Sequence, residues 1–127
     1  MPAERAFTYL TDPRLQGEWT LGAWDRRLLG DGLSSGTSLV SGEEVFVRTE
    51  ADEERLLVDY WLGSSPKRLR RSVSARVIPG EAIGRDAATC VVPLMTWRGD
   101  RREAWLATAE IHHVEVRMIK ARLEQRS

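Results

Sequence analysis

The sequence predicts an α+β domain: two short helices, an antiparallel meander of strands, then one long C-terminal helix. Three observations carry this. Apolar residues recur at three- and four-residue steps over the first and last segments. Between them the period falls to two. The links between the alternating runs are too short for crossovers, so successive strands must form hairpins. The 127 residues suit one domain spanning 1–127, large enough to bury a core without disulfides or metal.

The opening "PAERAFTYLTDPRLQGEW" puts Ala3, Ala6, Phe7 and Leu10 on one helical face. Pro2 takes the first helical position, where its fixed φ is tolerated. Asp12 caps a second short helix that begins at Pro13, carries Leu15 and Trp19 on its apolar side and ends near Gly17. The expected strands are "AWDRRLLG", "TSLVSG", "EEVFVRTEA", "ERLLVDYWLG", "RLRRSVSARVIP" and "ATCVVPLMTW". Gly42, "DEE", "GSSP" and "GEAIGRD" turn the chain between them. In the fourth, Leu56, Val58, Tyr60 and Leu62 alternate with Arg55, Leu57, Asp59 and Trp61, as expected of a sheet with one covered face.

The last segment, capped by Asp100, reads as a single helix. Trp105, Ala109, His112, Val116, Ile119 and Leu123 form one stripe edged by Thr108 and Glu115. Arg101, Glu110, Arg117 and Glu124 take the outer side. That stripe needs a broad apolar surface, and only the sheet offers one.

The stretch "GDGLSSGTSL", Gly30 to Leu39, invites comparison with phosphate-binding loops. A P-loop needs a lysine and a hydroxyl after its last glycine, and a helix N-terminus aimed at the anion. Here Thr37 follows Gly36, the loop holds no lysine, and a strand is expected next. A dinucleotide fingerprint fails for the same reason. The reading is a turn, with Asp31, Gly32 and Gly36 supplying left-handed geometry.

Composition narrows the partners. Nineteen basic residues balance nineteen acidic ones, which argues against nucleic acid as the main partner. No run reaches the roughly 18 apolar residues of a membrane span, and no charged-then-apolar leader opens the chain. Cys90 stands alone, so no intrachain disulfide forms, which fits a reducing compartment. A cytoplasmic protein is expected.

The residues Pro2, Ala3, Phe7, Asp12, Pro13 and Trp19 also resemble the opening of the START-like, polyketide cyclase/dehydrase (SRPBCC) superfamily, also known as helix-grip or birch-pollen-allergen-like. "GDGLSSGT" resembles the glycine-rich turn between the second and third strands of that fold. The resemblance covers nearly the whole chain and implies a curved antiparallel sheet wrapped around the long helix. It also implies a cavity between the two for lipids, polyketides or aromatic metabolites, with no cofactor. The family has a strand before the first helix, and this chain starts at the helix. The missing strand would leave the main chain of Ala88 to Leu94 as an open edge, explained either by a truncated or late-started chain or, as the favoured reading, by pairing with a second copy as a homodimer.

Within such a cavity the expected ligand-binding residues are Trp19, Val58, Tyr60, Trp105, Thr108, Ala109 and Val116. His112 lies mid-stripe beside Thr108 and Glu115, and a half-buried imidazole beside a carboxylate can move protons. Equally, it is a core histidine satisfied by Glu115 or Tyr60. Arg71 shares inward parity with Leu69, Val73 and Val77 and is the candidate to pair a carboxylate or enolate. His112, Glu115 and Arg71 would be the catalytic set of a cyclase or dehydratase. "HHVE" offers too few ligands for a metal, and Cys90 has no activating neighbour. Trp61, outward beside Leu57, and the basic run from Lys67 to Arg76 suggest a third role, a protein-interaction surface like that of the superfamily's chaperone-activator branch.

Overall fold

A computed structural model describes residues 1–97 and 101–126. Helix α1 (Ala3–Thr11) buries Ala3, Ala6, Phe7 and Leu10, as the periodicity requires, and Tyr9 with them. Pro2 is extended and sits just before the helix rather than in it. The Asp12 carboxylate accepts the Arg14 N–H at 3.0 Å and starts α2 (Pro13–Gln16). A 3₁₀ turn over Leu21–Ala23 then feeds the sheet.

Six strands form one antiparallel sheet in the order β1 (Trp24–Gly30), β2 (Leu33–Thr37), β3 (Glu44–Asp52), β4 (Leu57–Gly63), β5 (Arg70–Arg76) and β8 (Leu94–Thr96). β6 (Ile78–Pro79) and β7 (Cys90–Val91) pair separately. The inner face of the sheet, through Val47, Val58, Tyr60 and Ala75, joins α1, Trp19, Ile119 and Leu123 in one core. Tyr60 fixes this packing: its hydroxyl donates to the Leu10 carbonyl at 2.8 Å, and its ring meets Trp19 edge-on at 5.7 Å.

The strand expected at "TSLVSG" is a turn, and the strand lies earlier, over Leu33–Thr37. Gly30, Asp31 and Gly32 alone make the left-handed reversal, with φ of 93°, 53° and 75°. Gly36 does not turn the chain. A Cβ there would stand 2.7 Å from the Trp24 carbonyl oxygen, so this glycine admits a close approach of β1 to β2.

The last expected strand is also divided. Pro93 has no N–H to donate, and the chain forms β7 and β8 on either side of it. On the side facing the preceding strands, the segment from Ala88 to Leu94 is bonded within the chain. The Met1 ammonium donates to Ala88 O at 2.7 Å, the Gly80 N–H to Thr89 O, and the Arg76 N–H to Pro93 O. β8 is still the end strand of the six-stranded sheet, paired on one side with β5.

Helix α3 (Arg102–Gln125) closes the fold. Its expected cap, Asp100, lies outside the described residues. His112, Glu115, Ile119 and Leu123 are buried, and Trp105, Thr108, Ala109 and Val116 half-buried. The seam thus faces inward, each large apolar side chain fully buried there contributing about 1.5–3 kcal/mol. Among the described residues no helix is long and apolar enough to cross a membrane.

Candidate functional site

A cavity of about 370 Å³ lies between the inner sheet face and the first half of α3. Val47, Leu62 and Val73 form its sheet wall, and Ala107 and Ile111 its helix wall. It is predominantly apolar, with polar groups contributed by Arg26, His112 and Glu115 among others.

Of the residues expected to bind ligand, Trp19, Tyr60 and Thr108 line this space together with His112 and Glu115. Val58 is fully buried but off its wall. Trp105 and Ala109 are half-buried and also off it; the Trp105 indole donates to Thr96 O at 3.3 Å. Val116 borders a second groove beside Met1, Cys90 and Leu123.

Arg71 does not reach the cavity. Tyr60 pairs with Val73 while Trp61 pairs with Arg71, so Ser72 is an extra residue that resets the parity of β5. Arg71 consequently stands on the outer face, its guanidinium 5.0 Å from the Trp61 ring and 5.5 Å from the Trp97 ring. Its Nε lies 3.4 Å from Asp59 Oδ2. The Ser74 hydroxyl bonds Asp59 and in turn accepts the Trp97 indole N–H at 2.8 Å, which closes an outer-face cluster.

His112 and Glu115 do meet. Imidazole Nε2 is 3.5 Å from Glu115 Oε1, while Nδ1 is hydrogen-bonded with the Thr96 hydroxyl. Burial pushes His112 down to about 4, with the neighbouring His113 adding to the effect. Burial likewise drives Glu115 up to about 7, although the main-chain N–H groups of Leu21 and Gly22 and the charge of Arg26 pull the other way. In mildly acidic solution the pair is therefore a neutral imidazole beside a protonated carboxyl, not an ion pair. A carboxyl that titrates near 7 on a cavity wall can give or take a proton at neutral pH.

Arg26 was absent from the sequence-derived site. β1 carries an extra residue between Trp24 and Arg27, with Asp25 at φ 54°, and Arg26 joins the cavity wall beside that bulge. The guanidinium donates from Nε to Ala23 O at 2.7 Å and from Nη1 to Gln16 Oε1 at 2.8 Å and Ser34 Oγ at 2.9 Å. Burial lowers it to about 10, which leaves it a cation at neutral pH. Plain alternation puts Arg26 on the side of Trp24, but Trp24 pairs with Thr37 and Arg27 with Ser35, so the bulge leaves Arg26 on the side of Ser34 and the cavity.

Among the described residues no group of three His, Cys, Asp or Glu side chains converges to hold a metal ion. No protein-family model matches the sequence, and no curated protein matches it significantly.

Proposed function

We propose that this protein binds a hydrophobic small molecule, a lipid-, polyketide- or aromatic-type metabolite, between the sheet and α3, in the manner of the helix-grip proteins its sequence resembles. The supporting observation is the apolar cavity of about 370 Å³ at that place. Its size is at the small end of the ~300–1,000 Å³ typical of ligand sites. A neutral apolar dye should brighten on binding and be displaced by hydrophobic metabolites. Ala107 is exposed on the helix yet lines the cavity, so Ala107→Trp should obstruct it without touching the core. Equal dye affinity in wild type and a folded Ala107→Trp variant would reject the cavity as the site.

A second reading, an enzyme of cyclase or dehydratase type, is favoured by one observation: Glu115 titrates near neutrality against His112 on the cavity wall. Arg71, on the other face of the sheet, has no part in that chemistry. Turnover of a polyketide-like carbonyl compound, lost in a folded His112→Ala variant, would establish it; unchanged turnover would remove His112 from the mechanism.

A further inference from the structure

We infer that the ligand of this cavity is an apolar acid, whose carboxylate pairs with Arg26. The inference rests on the cavity being a binding site and adds the chemical class of what enters it. Arg26 is a half-buried cation on a predominantly apolar wall, and every acceptor it has among the described residues is neutral: Ala23 O, Gln16 Oε1, Ser34 Oγ and, at 3.5 Å, Thr20 Oγ1. That last contact is its longest, and among the described residues it is all that holds Nη2. Cations removed from water are ordinarily matched by an anion, and Nη2, with the weakest contact of the three nitrogens, is the one placed to donate to a carboxylate.

Among the described residues no such anion is in contact with Arg26. Among the described residues Glu115 is the one acidic side chain on the cavity wall, and it is already engaged. Its Oε2 accepts the Leu21 N–H at 2.8 Å, and its Oε1 faces His112 at 3.5 Å. Burial raises its carboxyl to about 7, and it acts on Arg26 through space rather than by contact. Trp19, on the same wall, has a buried indole N–H with no acceptor among the described residues. The wall thus offers a cation that no described anion touches, within an apolar chamber, the complement of a molecule with a carboxylate at one end and hydrocarbon or aromatic carbon for the rest.

The test compares decanoate, decanol and decylamine, which share one hydrocarbon tail, in displacing a neutral apolar dye from the wild-type protein at neutral pH. Decanoate should bind at least tenfold more tightly than decanol, with decylamine weakest. Arg26→Gln should bring acid and alcohol together, and Arg26→Lys should retain most of the preference. Arg26 also braces Gln16 and Ser34, so if Arg26→Gln fails to fold, the wild-type series and Arg26→Lys decide. Equal displacement by acid and alcohol, or displacement by neither, overturns the acid assignment but leaves the dye-binding cavity standing. Dye binding insensitive to Ala107→Trp removes the cavity itself.

Discussion

The Glu115 carboxylate accepts the main-chain N–H of Leu21 at 2.8 Å, which ties the last helix to the 3₁₀ turn 94 positions earlier in sequence. The same side chain borders the cavity and His112. One residue therefore joins the architecture of the site to its protonation.

That double position predicts a pH profile. Glu115 rises from 4.5 to about 7 on folding, so its contribution is complete below 4.5 and lost as pH climbs through 7. His112 falls from 6.5 to about 4, so its contribution is complete above 6.5 and lost as pH drops through 4. Between 4.5 and 6.5 the two slopes oppose each other, and wild-type stability should be nearly flat. Glu115→Gln leaves His112 unopposed: its urea midpoint should fall as pH is lowered through that window. Above neutrality this variant should be more stable than wild type by about 1–3 kcal/mol, because no buried carboxyl has to ionise. Parallel urea profiles for the two proteins would contradict this.

Gly36→Ala should destabilise the fold by about 1–3 kcal/mol. The added carbon would sit 2.7 Å from the Trp24 carbonyl and 2.9 Å from Ala23 O, both main-chain atoms that cannot swing aside. Chemical denaturation measures the loss. A neutral result would mean that β1 and β2 can separate at no cost.

Arg71→Ala should cost about 0.5–1 kcal/mol through the lost contacts with the Trp61 and Trp97 rings. Dye affinity should not change, since the guanidinium and the cavity are on opposite sides of the sheet. A titration in which the variant binds dye several-fold more weakly would place Arg71 back at the site.

The helices were legible because their signal is redundant. Six stripe residues of α3 agree on one face, and α1 repeats its apolar side with Ala3, Ala6, Phe7 and Leu10. Strand faces depend on counting by twos, and one extra residue reverses the count. Nothing in the side chains of Asp25 or Ser72 marks them as bulge positions, so Arg26 went unnoticed and Arg71 was placed on the wrong face. Gly36 was misread for a related reason. Glycine serves both turns and close strand contacts, and a run of glycines and serines looks the same in either setting. His112 and Glu115 were found because helical spacing brought them together without reference to the sheet.

The bulge at Ser72 has a consequence for how this gene can vary. Ser72 stands outside the pairing of Val73 with Tyr60 and of Arg71 with Trp61. Losing its codon would leave both partnerships, and the assignment of interior and exterior, as they are. Losing the codon for Ser74 instead would turn over one flank of the strand, exchanging cavity lining for solvent-facing residues. Tolerance to indels in β5 should therefore be concentrated at one position.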